Sequence, residues 1–281
     1  MKLKIAHGKE LDFSDGPLVM GILNVTPDSF SDGGVNAASP VEAACRMAEE
    51  GAAIIDIGGE STRPGYVPVP QEEELSRVLP ALHGIRQALP EIAISVDTMK
   101  AVVAEAALAE GADIINDVTA FEREPEAMCK LLAKHKAGAI LMHSVPLSSK
   151  GSCTAEVVDY LKKRVEWACH QTGLDEEFFA VDAGIGFGKS VEQNLELAMA
   201  VEALHSIGRP VLLGISRKSC LGAVTGRPVT ERGAATTAAV TIAAFMGTEI
   251  LRVHDVKSAV DAVKVAMALR GTTLGIRGAT K

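Results

Sequence analysis

The chain has 281 residues, of which 47% are hydrophobic and 23% are charged, and its formal net charge at pH 7 is −8. This balance excludes a disordered or fibrous chain, and the acidic charge argues against nucleic acid or an anionic membrane surface as a partner. The sequence shows neither a signal peptide nor a run of ~20 apolar residues, so we expect a cytoplasmic protein.

Two short apolar runs, residues 3–5 and 11–13, open the chain and flank a turn at Gly8. This arrangement is typical of a β-hairpin, in which a turn joins two antiparallel strands. Farther along, the pair Ser39-Pro40 has the residue types that begin a helix, and Gly51 has the type that ends one. We therefore predict a hairpin followed by a helix over this part of the chain.

Eight short runs rich in β-branched residues alternate with longer stretches rich in Ala, Leu and Glu. This alternation predicts βα units with parallel strands, and runs that are apolar throughout indicate strands covered on both faces. The predicted strands are residues 18–23, 53–57, 92–96, 113–116, 139–142, 179–181, 211–215 and 250–253. Because eight such strands close a barrel, we predict a single (β/α)8 TIM-barrel domain over residues 1–281, with the hairpin at its bottom. The alternative is an open doubly wound sheet, but no GxGxxG motif follows the first of these strands.

The active site of a TIM barrel lies at the C-terminal ends of its strands, and here polar side chains end or follow every predicted strand. They include Asn24, Glu60, Arg63, Asp97, Asn116, His143, Asp182, Lys218, Arg252 and His254. Three of them have a structural alternative: Asp97 could cap the next helix, Asn116 could brace a turn, and His143 could be an ordinary buried histidine. We favour a binding site because so many polar residues converge on one barrel mouth.

The types of these residues indicate a ligand with two chemically different parts. Carboxylates that accept a pair of N–H groups, beside a lysine that donates to a carbonyl, match the edge of an amino-oxo pyrimidine ring. Arg63, Arg252 and His254 suit an anion, because guanidinium groups match phosphate oxygens. A fused heterocycle that carries a diphosphate satisfies both parts.

Two long motifs resemble the two signatures of the dihydropteroate synthase family. They are residues 20–34, MGILNVTPDSFSDGG, and residues 55–65, IDIGGESTRPG. Shorter blocks resemble other family motifs and follow in the family order; they contain Asp97, Asn116, His143, Asp182, Lys218 and Arg252. The resemblance covers about residues 18–256 and implies a pterin-binding TIM barrel.

The resemblance also implies a role for each residue at the barrel mouth. The residues that hold the pterin are Asp97, Asn116, Asp182 and Lys218. Those that hold its pyrophosphate are Asn24, Arg63, Arg252 and His254; Asn24 also binds Mg2+, and Arg252 also packs over the ring. Those that contact p-aminobenzoate are Phe30, Thr62, Pro64, Phe187 and Ser219. The expected catalytic residues are Asp97, Arg63, Lys218, Arg252 and His254.

The implied reaction joins 6-hydroxymethyl-7,8-dihydropterin pyrophosphate to p-aminobenzoate, with Mg2+ as cofactor, and yields 7,8-dihydropteroate and pyrophosphate in folate biosynthesis. An SN1-like path is favoured because the electron-rich dihydropterin stabilises a cation at the adjacent CH2 group. The resemblance further implies a homodimer. Two other functions stay open, a methyltetrahydrofolate-binding methyltransferase domain and a non-catalytic pterin-binding paralogue. The retention of Arg63, Arg252 and His254 favours pyrophosphate release over both.

Two positions depart from the pattern of the family. Ala183 stands where a proline is usual, and Ser144-Val145 follow His143 where the family often has Gln-Gly. Neither departure removes a group that binds a ligand. Both bear on the conformation of the loops after the fifth and sixth barrel strands.

Overall fold

Eight parallel strands close into a barrel in the computed structural model, which describes residues 1–26, 39–60, 68–148 and 152–278, with side chains as far as residue 271. The barrel strands are β3 (Leu18–Asn24), β4 (Ile54–Gly58), β5 (Ala93–Asp97), β6 (Ile114–Asp117), β7 (Gly138–Met142), β8 (Phe179–Asp182), β9 (Val211–Leu213) and β10 (Ile250–Val253). Neighbours in the chain are neighbours in the barrel, and β10 pairs with β3 to close it. The predicted (β/α)8 barrel is confirmed.

The ends of the strands differ from the prediction in a systematic way. Five strands extend one residue beyond the last residue predicted, to Asn24, Gly58, Asp97, Asp117 and Asp182. Backbone pairing therefore continues into the residues that form the mouth, which holds several polar side chains on the rigid sheet. The predicted seventh strand, 211–215, was too long, because β9 ends at Leu213.

Helices follow the barrel strands and cover them on the outside. They are α1 (Pro40–Glu49), α2 (Gln71–Ala88), α3 (Ala101–Ala109), α4 (Pro125–His135), α5 (Cys153–Thr172), α6 (Val191–Ala198), α7 (Val201–His205), α8 (Ser219–Thr225), α9 (Gly233–Met246) and α10 (Val256–Gly278). The start of α1 is confirmed: Ser39 and Glu42 form a capping box and Pro40 is the first helical residue. Gly51 follows the helix with φ of +102°, a conformation that glycine adopts without steric cost.

The N-terminal hairpin consists of β1 (Lys2–Lys4) and β2 (Glu10–Asp12), which pair antiparallel. Its apolar side chains Leu3, Ile5 and Phe13 pack against one end of the barrel interior. The interior residues that they contact as one cluster are Met20, Ile54, Ala93, Ile114, Ile140, Ala180, Leu212 and Ile250. These lie toward the N-terminal ends of their strands, so the hairpin closes the bottom of the barrel.

No helix in the described ranges is long and apolar enough to span a membrane.

Candidate active site

A cavity of about 420 Å³ opens at the C-terminal ends of the strands. Its lining residues are Ile22, Asn24, Glu60, Asp97, Gly186, Phe187, Gly214, Ser216, Arg217, Lys218, Ser219, Val229, Thr230, Arg232, Arg252 and His254. Asn24, Asp97, Lys218, Arg252, His254, Phe187 and Ser219 were all predicted as site residues. The sequence-based expectation that they share one mouth agrees with this lining.

Arg252 joins two acidic side chains across the barrel. Its Nε donates to Asp56 Oδ2 at 2.6 Å, and its Nη2 donates to Asp97 Oδ2 at 2.9 Å. Asn116 Nδ2 donates to the same Asp56 oxygen at 3.3 Å. Asp97 does not cap a helix, because α3 begins only at Ala101 and has no side-chain cap. The guanidinium group is therefore held in one orientation by two carboxylates from two neighbouring strands.

Burial has a strong effect on the protonation of Asp97. Burial raises the pKa of this carboxyl from 3.8 to about 7; the nearby Arg252 opposes the shift, and the negative charge of Asp56 adds to it. Between about pH 4 and pH 7, Asp97 therefore keeps its proton in the ligand-free folded protein, whereas in the unfolded chain it has lost it.

We predict a pH dependence of stability that follows from this shift. Because the folded-state pKa of Asp97 is raised, its contribution to stability is fully present below about pH 4 and is lost as the pH rises through about 7. Between these values the free energy of unfolding should fall by up to about 1.4 kcal/mol per pH unit more in the wild type than in Asp97→Asn. Urea denaturation of the two proteins at a series of pH values measures the difference, and parallel curves would contradict the prediction.

Asp182 ends β8, and Lys218 lies in the loop after β9, directly before α8, on the side of the mouth away from Asp56. Asp182 Oδ1 accepts a hydrogen bond from Gly184 N at 2.8 Å. Burial raises the pKa of Asp182, and this hydrogen bond opposes the shift. The ammonium group of Lys218 lies 4.5 Å from the centre of the Phe187 ring, within cation–π range. Burial also lowers the pKa of Lys218.

An apolar cluster lies beside these polar groups. Met99, Val118 and Met142 are buried together, and the partly exposed ring of Phe187 packs against them. A flat ring that bonds to the carboxylates along its edge would have an apolar surface to contact with its face. Sulfur and aromatic side chains are well suited to such contacts.

The opposite wall of the cavity carries groups that suit an anion and a cation. His254 Nδ1 lies 3.0 Å from Ser216 Oγ, which fixes the orientation of the imidazole ring. Asn24 lines the same cavity, as does Glu60, whose Oε1 is buried without a hydrogen-bond partner in the described part of the chain. Oxygen ligands of these two types are those that Mg2+ prefers. Among the residues described, no group of three or more His, Cys, Asp and Glu could hold a metal ion by itself.

Comparisons with known proteins agree with this geometry. Residues 20–254 match the model of a family described as pterin binding enzyme. The dihydropteroate synthase of Bacillus subtilis is 41% identical over 270 residues, covering 95% of this chain and 94% of the relative, and that of Haemophilus influenzae is 42% identical over 280 residues, covering 95% and 98%. The chain belongs to the dihydropteroate synthase family.

Solved structures of dihydropteroate synthases show the same similarity. The Xanthomonas albilineans enzyme with 4-aminobenzoic acid superimposes with a TM-score of 0.87 at 42% identity, covering 96% of this chain and 98% of that chain. The Burkholderia cenocepacia enzyme with 7,8-dihydropteroate gives a TM-score of 0.86 at 39% identity, covering 98% of both chains. Both findings favour a dihydropteroate synthase over the methyltransferase alternative.

Four residues with family roles lie outside the described residues. They are Phe30, Thr62, Arg63 and Pro64. Their expected contacts with p-aminobenzoate and pyrophosphate stay predictions.

Sequence reasoning assigned no role to several buried charged residues. Asp56 is fully buried and binds Arg252. Lys100 donates to the carboxylates of Glu60 and Glu74 and, at 2.7 Å, to the carbonyl of Val69. A charged residue inside an apolar strand, such as Asp56, is a signal that could have been found, because such a residue needs a partner.

His143 is fully buried and does not line the cavity among the described residues. Its ring meets that of Tyr160 edge to face, with centroids 4.8 Å apart, and neither ring nitrogen has a hydrogen-bond partner in the described ranges. Burial, with the nearby charge of Lys189, lowers the pKa of His143 to about 4. The ring is therefore neutral at pH 7, which agrees with a structural role.

The loops after β7 and β8, which contain the two departures from the family pattern, lie in close contact. Ala183 is fully buried in the place of the usual proline. The next residue, Gly184, has φ of +70°, and a Cβ atom there would lie 1.9 Å from the carbonyl oxygen of His143. Only glycine fits at this approach, so the loops after β7 and β8 pack directly against each other.

Proposed function

We propose that this chain catalyses the condensation of 6-hydroxymethyl-7,8-dihydropterin pyrophosphate with p-aminobenzoate, and releases pyrophosphate. One observation carries the proposal: a single cavity places the buried carboxylate Asp97 beside Arg252 and His254, which suit a diphosphate. We assign the activity to a single barrel domain.

Four side chains would recognise the pterin ring. Asp182 and Asp97 would accept hydrogen bonds from ring N–H and amino groups, while Asn116 and Lys218 would donate to ring nitrogen or carbonyl oxygen. Asp182 and Asp97 are 7% and 6% exposed, so bonds to them form away from water. The apolar cluster under Phe187 would cover one face of the ring.

The pyrophosphate would bind on the other wall, against Arg252, His254 and Asn24, and also against Arg63. Asn24 would hold Mg2+ together with oxygens of the diphosphate, an arrangement that is usual for this ion. When bound, Mg2+ would neutralise part of the negative charge on the diphosphate. Arg252 cannot turn freely toward a ligand, since Asp56 and Asp97 hold it, and this preorganisation favours electrostatic catalysis.

The reaction would break the C–O bond between the pterin CH2 group and the pyrophosphate. In the SN1-like path the electron pair of that bond leaves with pyrophosphate, and the dihydropterin carries the positive charge. A positive charge on the ring favours the ionised form of Asp97, which would then offset this charge from beside the ring. The amine of p-aminobenzoate is neutral at pH 7 and then attacks the CH2 carbon. The ammonium group that forms is acidic and would give its extra proton to water or to the released pyrophosphate, so no strong general base is needed.

The p-aminobenzoate ring would lie at the outer part of the mouth. Phe187 and Ser219 both line the cavity, and Ser219 is exposed. Phe30, Thr62 and Pro64 would complete the pocket.

The main test of the proposed function is turnover of the two substrates with Mg2+, scored by pyrophosphate release, against a control without p-aminobenzoate. Folded protein that releases no pyrophosphate would refute the proposed function.

We also propose that the protein is a homodimer. The helices α9 and α10 pack together and expose four large apolar side chains, Ile242, Phe245, Val265 and Leu269. Such a surface is a candidate for contact with a second copy of the chain. Light scattering after size-exclusion chromatography measures the mass, and a monomer at micromolar concentration would contradict this assignment. The cytoplasmic location stays a prediction.

We predict that Asp182→Asn weakens the binding of a pterin carboxylate by ~10- to 150-fold, because one acceptor oxygen becomes an N–H donor that faces ring N–H groups. Calorimetry measures the affinity. Asp117→Asn is the matched control: Asp117 is also buried at a strand end, but its oxygens bind Thr119 and Phe121. That control should lose stability and keep its affinity, and equal affinities of both variants would reject the role of Asp182.

Arg63→Ala should affect the pyrophosphate part of the site and not the pterin part. If Arg63 binds the leaving group, its loss should lower turnover by roughly 100-fold or more, as for other groups that stabilise transition-state charge. The affinity for a pterin without pyrophosphate should change little. Single-turnover kinetics and calorimetry measure the two quantities, and an equal fall in both would show that Arg63 is misassigned.

A further inference from the structure

Lys189 occupies an unusual position for a lysine at the mouth of an anion-binding barrel. Its ammonium group donates to three main-chain carbonyl oxygens, those of His143 at 2.9 Å, Gly184 at 3.0 Å and Phe187 at 3.2 Å. A lysine has three N–H donors, and these three acceptors use them all. Lys189 is therefore committed to the backbone, and the glycine-rich segment before it is not arranged as a phosphate loop around this lysine.

The three carbonyls belong to two different loops. His143 follows β7, whereas Gly184 and Phe187 follow β8. The loops already touch where Gly184 meets His143, and a Cβ atom at Gly184 would not fit between them. The ammonium group thus joins the two loops at their point of closest approach.

The residues bonded to Lys189 lead directly to the ring-binding groups. Gly184 N donates to Asp182 Oδ1, and the Phe187 ring lies under the ammonium group of Lys218. Met142, next to His143, packs in the apolar cluster with Phe187. The Lys189 amine is therefore bonded to residues that adjoin three parts of the pterin pocket.

From the other side, Asn194 holds the same segment. Its Oδ1 accepts from Gly186 N at 2.6 Å, and its Nδ2 donates to the carbonyl oxygens of Ser190 at 2.7 Å and Lys189 at 3.2 Å. Asn194 fixes the outer part of the loop to α6, but it makes no contact across to β7 in these bonds. The two segments are also joined where the loops begin, by the backbone bond from His143 N to the carbonyl oxygen of Asp182 at 2.9 Å, and Lys189 adds a side-chain connection farther along both loops.

We propose that Lys189 is a positioning residue for pterin recognition, which holds the loops after β7 and β8 in the arrangement that places Asp182, Phe187 and Lys218. This inference rests on the proposed function. It assigns Lys189 no contact with substrate.

The test compares Lys189→Met with Arg164→Met. Methionine keeps most of the length of the side chain and removes every donor. Arg164 is the matched control because it also donates to a loop carbonyl, that of Ala120 at 3.1 Å, and neither Arg164 nor Ala120 is among the described residues that line the cavity. Both variants should melt at a lower temperature than the wild type, whereas only Lys189→Met should bind a pterin carboxylate about 10-fold or more weakly.

Steady-state kinetics gives a second readout that general destabilisation does not move. In Lys189→Met the KM for the pterin pyrophosphate should rise by a larger factor than kcat falls, with pyrophosphate release as the assay. Lys189→Gln keeps two N–H donors and should bind the pterin with intermediate affinity. If Lys189→Met does not fold, the glutamine variant decides the result.

Wild-type affinity in both Lys189 variants, or an equal loss in Arg164→Met, would overturn the inference. A wild-type protein that binds no pterin would instead refute the proposed function, so the two failures are distinguishable.

Discussion

Replacing Arg252 with methionine should lower the free energy of unfolding by about 3–5 kcal/mol, because breaking a buried ion pair leaves uncompensated charge in the interior. Asp56 is 0% and Asp97 6% exposed, and both accept hydrogen bonds from this one guanidinium group. The Oδ1 atoms of both carboxylates have no other partner in the described residues. Methionine restores much of the volume of the arginine but none of its charge, so the loss measures the electrostatic contribution. Turnover should fall below detection, since the same group is assigned to the pyrophosphate.

Urea denaturation at constant pH measures the loss of stability. Arg232→Met is the matched control, because Arg232 lines the same cavity but donates to the carbonyls of Arg217 and Arg227 at 3.0 and 3.1 Å. The control loses two hydrogen bonds at exposed positions and should therefore lose about 1–2 kcal/mol, less than Arg252→Met. Adding Asp56→Asn to Arg252→Met should recover part of the lost stability. If the double variant is less stable than the single one, the uncompensated charge is not the cause.

Lys100→Met should have a comparable effect, about 3–5 kcal/mol, at a second buried cluster. The Lys100 side chain is 7% exposed, and those of its partners Glu60 and Glu74 are 4% and 1% exposed. Removing the one ammonium group leaves two buried carboxylates. Because Glu60 lines the cavity, the loss of the Lys100 ammonium group should also lower the rate of turnover, measured by pyrophosphate release.

The control for this experiment is an ion pair on the surface. Lys134 binds Glu105, but its side chain is 65% exposed, and exposed pairs contribute about 0–1 kcal/mol. Lys134→Met should therefore unfold at nearly the same urea concentration as the wild type. Equal stability of Lys100→Met and Lys134→Met would show that the buried cluster rearranges or takes up water when its cation is lost.

The barrel was predictable because each of its strands carries a local signal. A run of β-branched apolar residues that is followed by helix signals can be identified as a strand without knowledge of the strands beside it. The site could be located for a related reason: in a parallel barrel the carboxyl ends of all strands meet at one mouth, so Asp97, Asp182 and Arg252 come together although they are far apart in the chain.

The pairing of the site residues could not be predicted in the same way. Arg252 and Asp56 are 196 residues apart, and no local pattern shows which acid faces which base. Asp56 lies within the recognised family motif, yet its partner is set by the registers of β3, β4 and β10.

The predicted length of β9 was wrong for a similar reason. The residues after Leu213 are still apolar or small, but Arg217 turns to φ of +57° and its N–H binds Thr236 on α9.

The hairpin at the bottom has a consequence for the order in which molecules come and go. With Leu3, Ile5 and Phe13 filling the far end, the described part of the barrel opens at its C-terminal mouth, which both substrates and both products would use. Of the groups assigned to the pterin, Asp97, Asn116 and Asp182 are buried, whereas Ser219, assigned to p-aminobenzoate, is exposed. A pterin bound at the buried carboxylates would lie behind p-aminobenzoate, so we expect the pterin to bind first and dihydropteroate to leave through the same mouth before the next cycle begins.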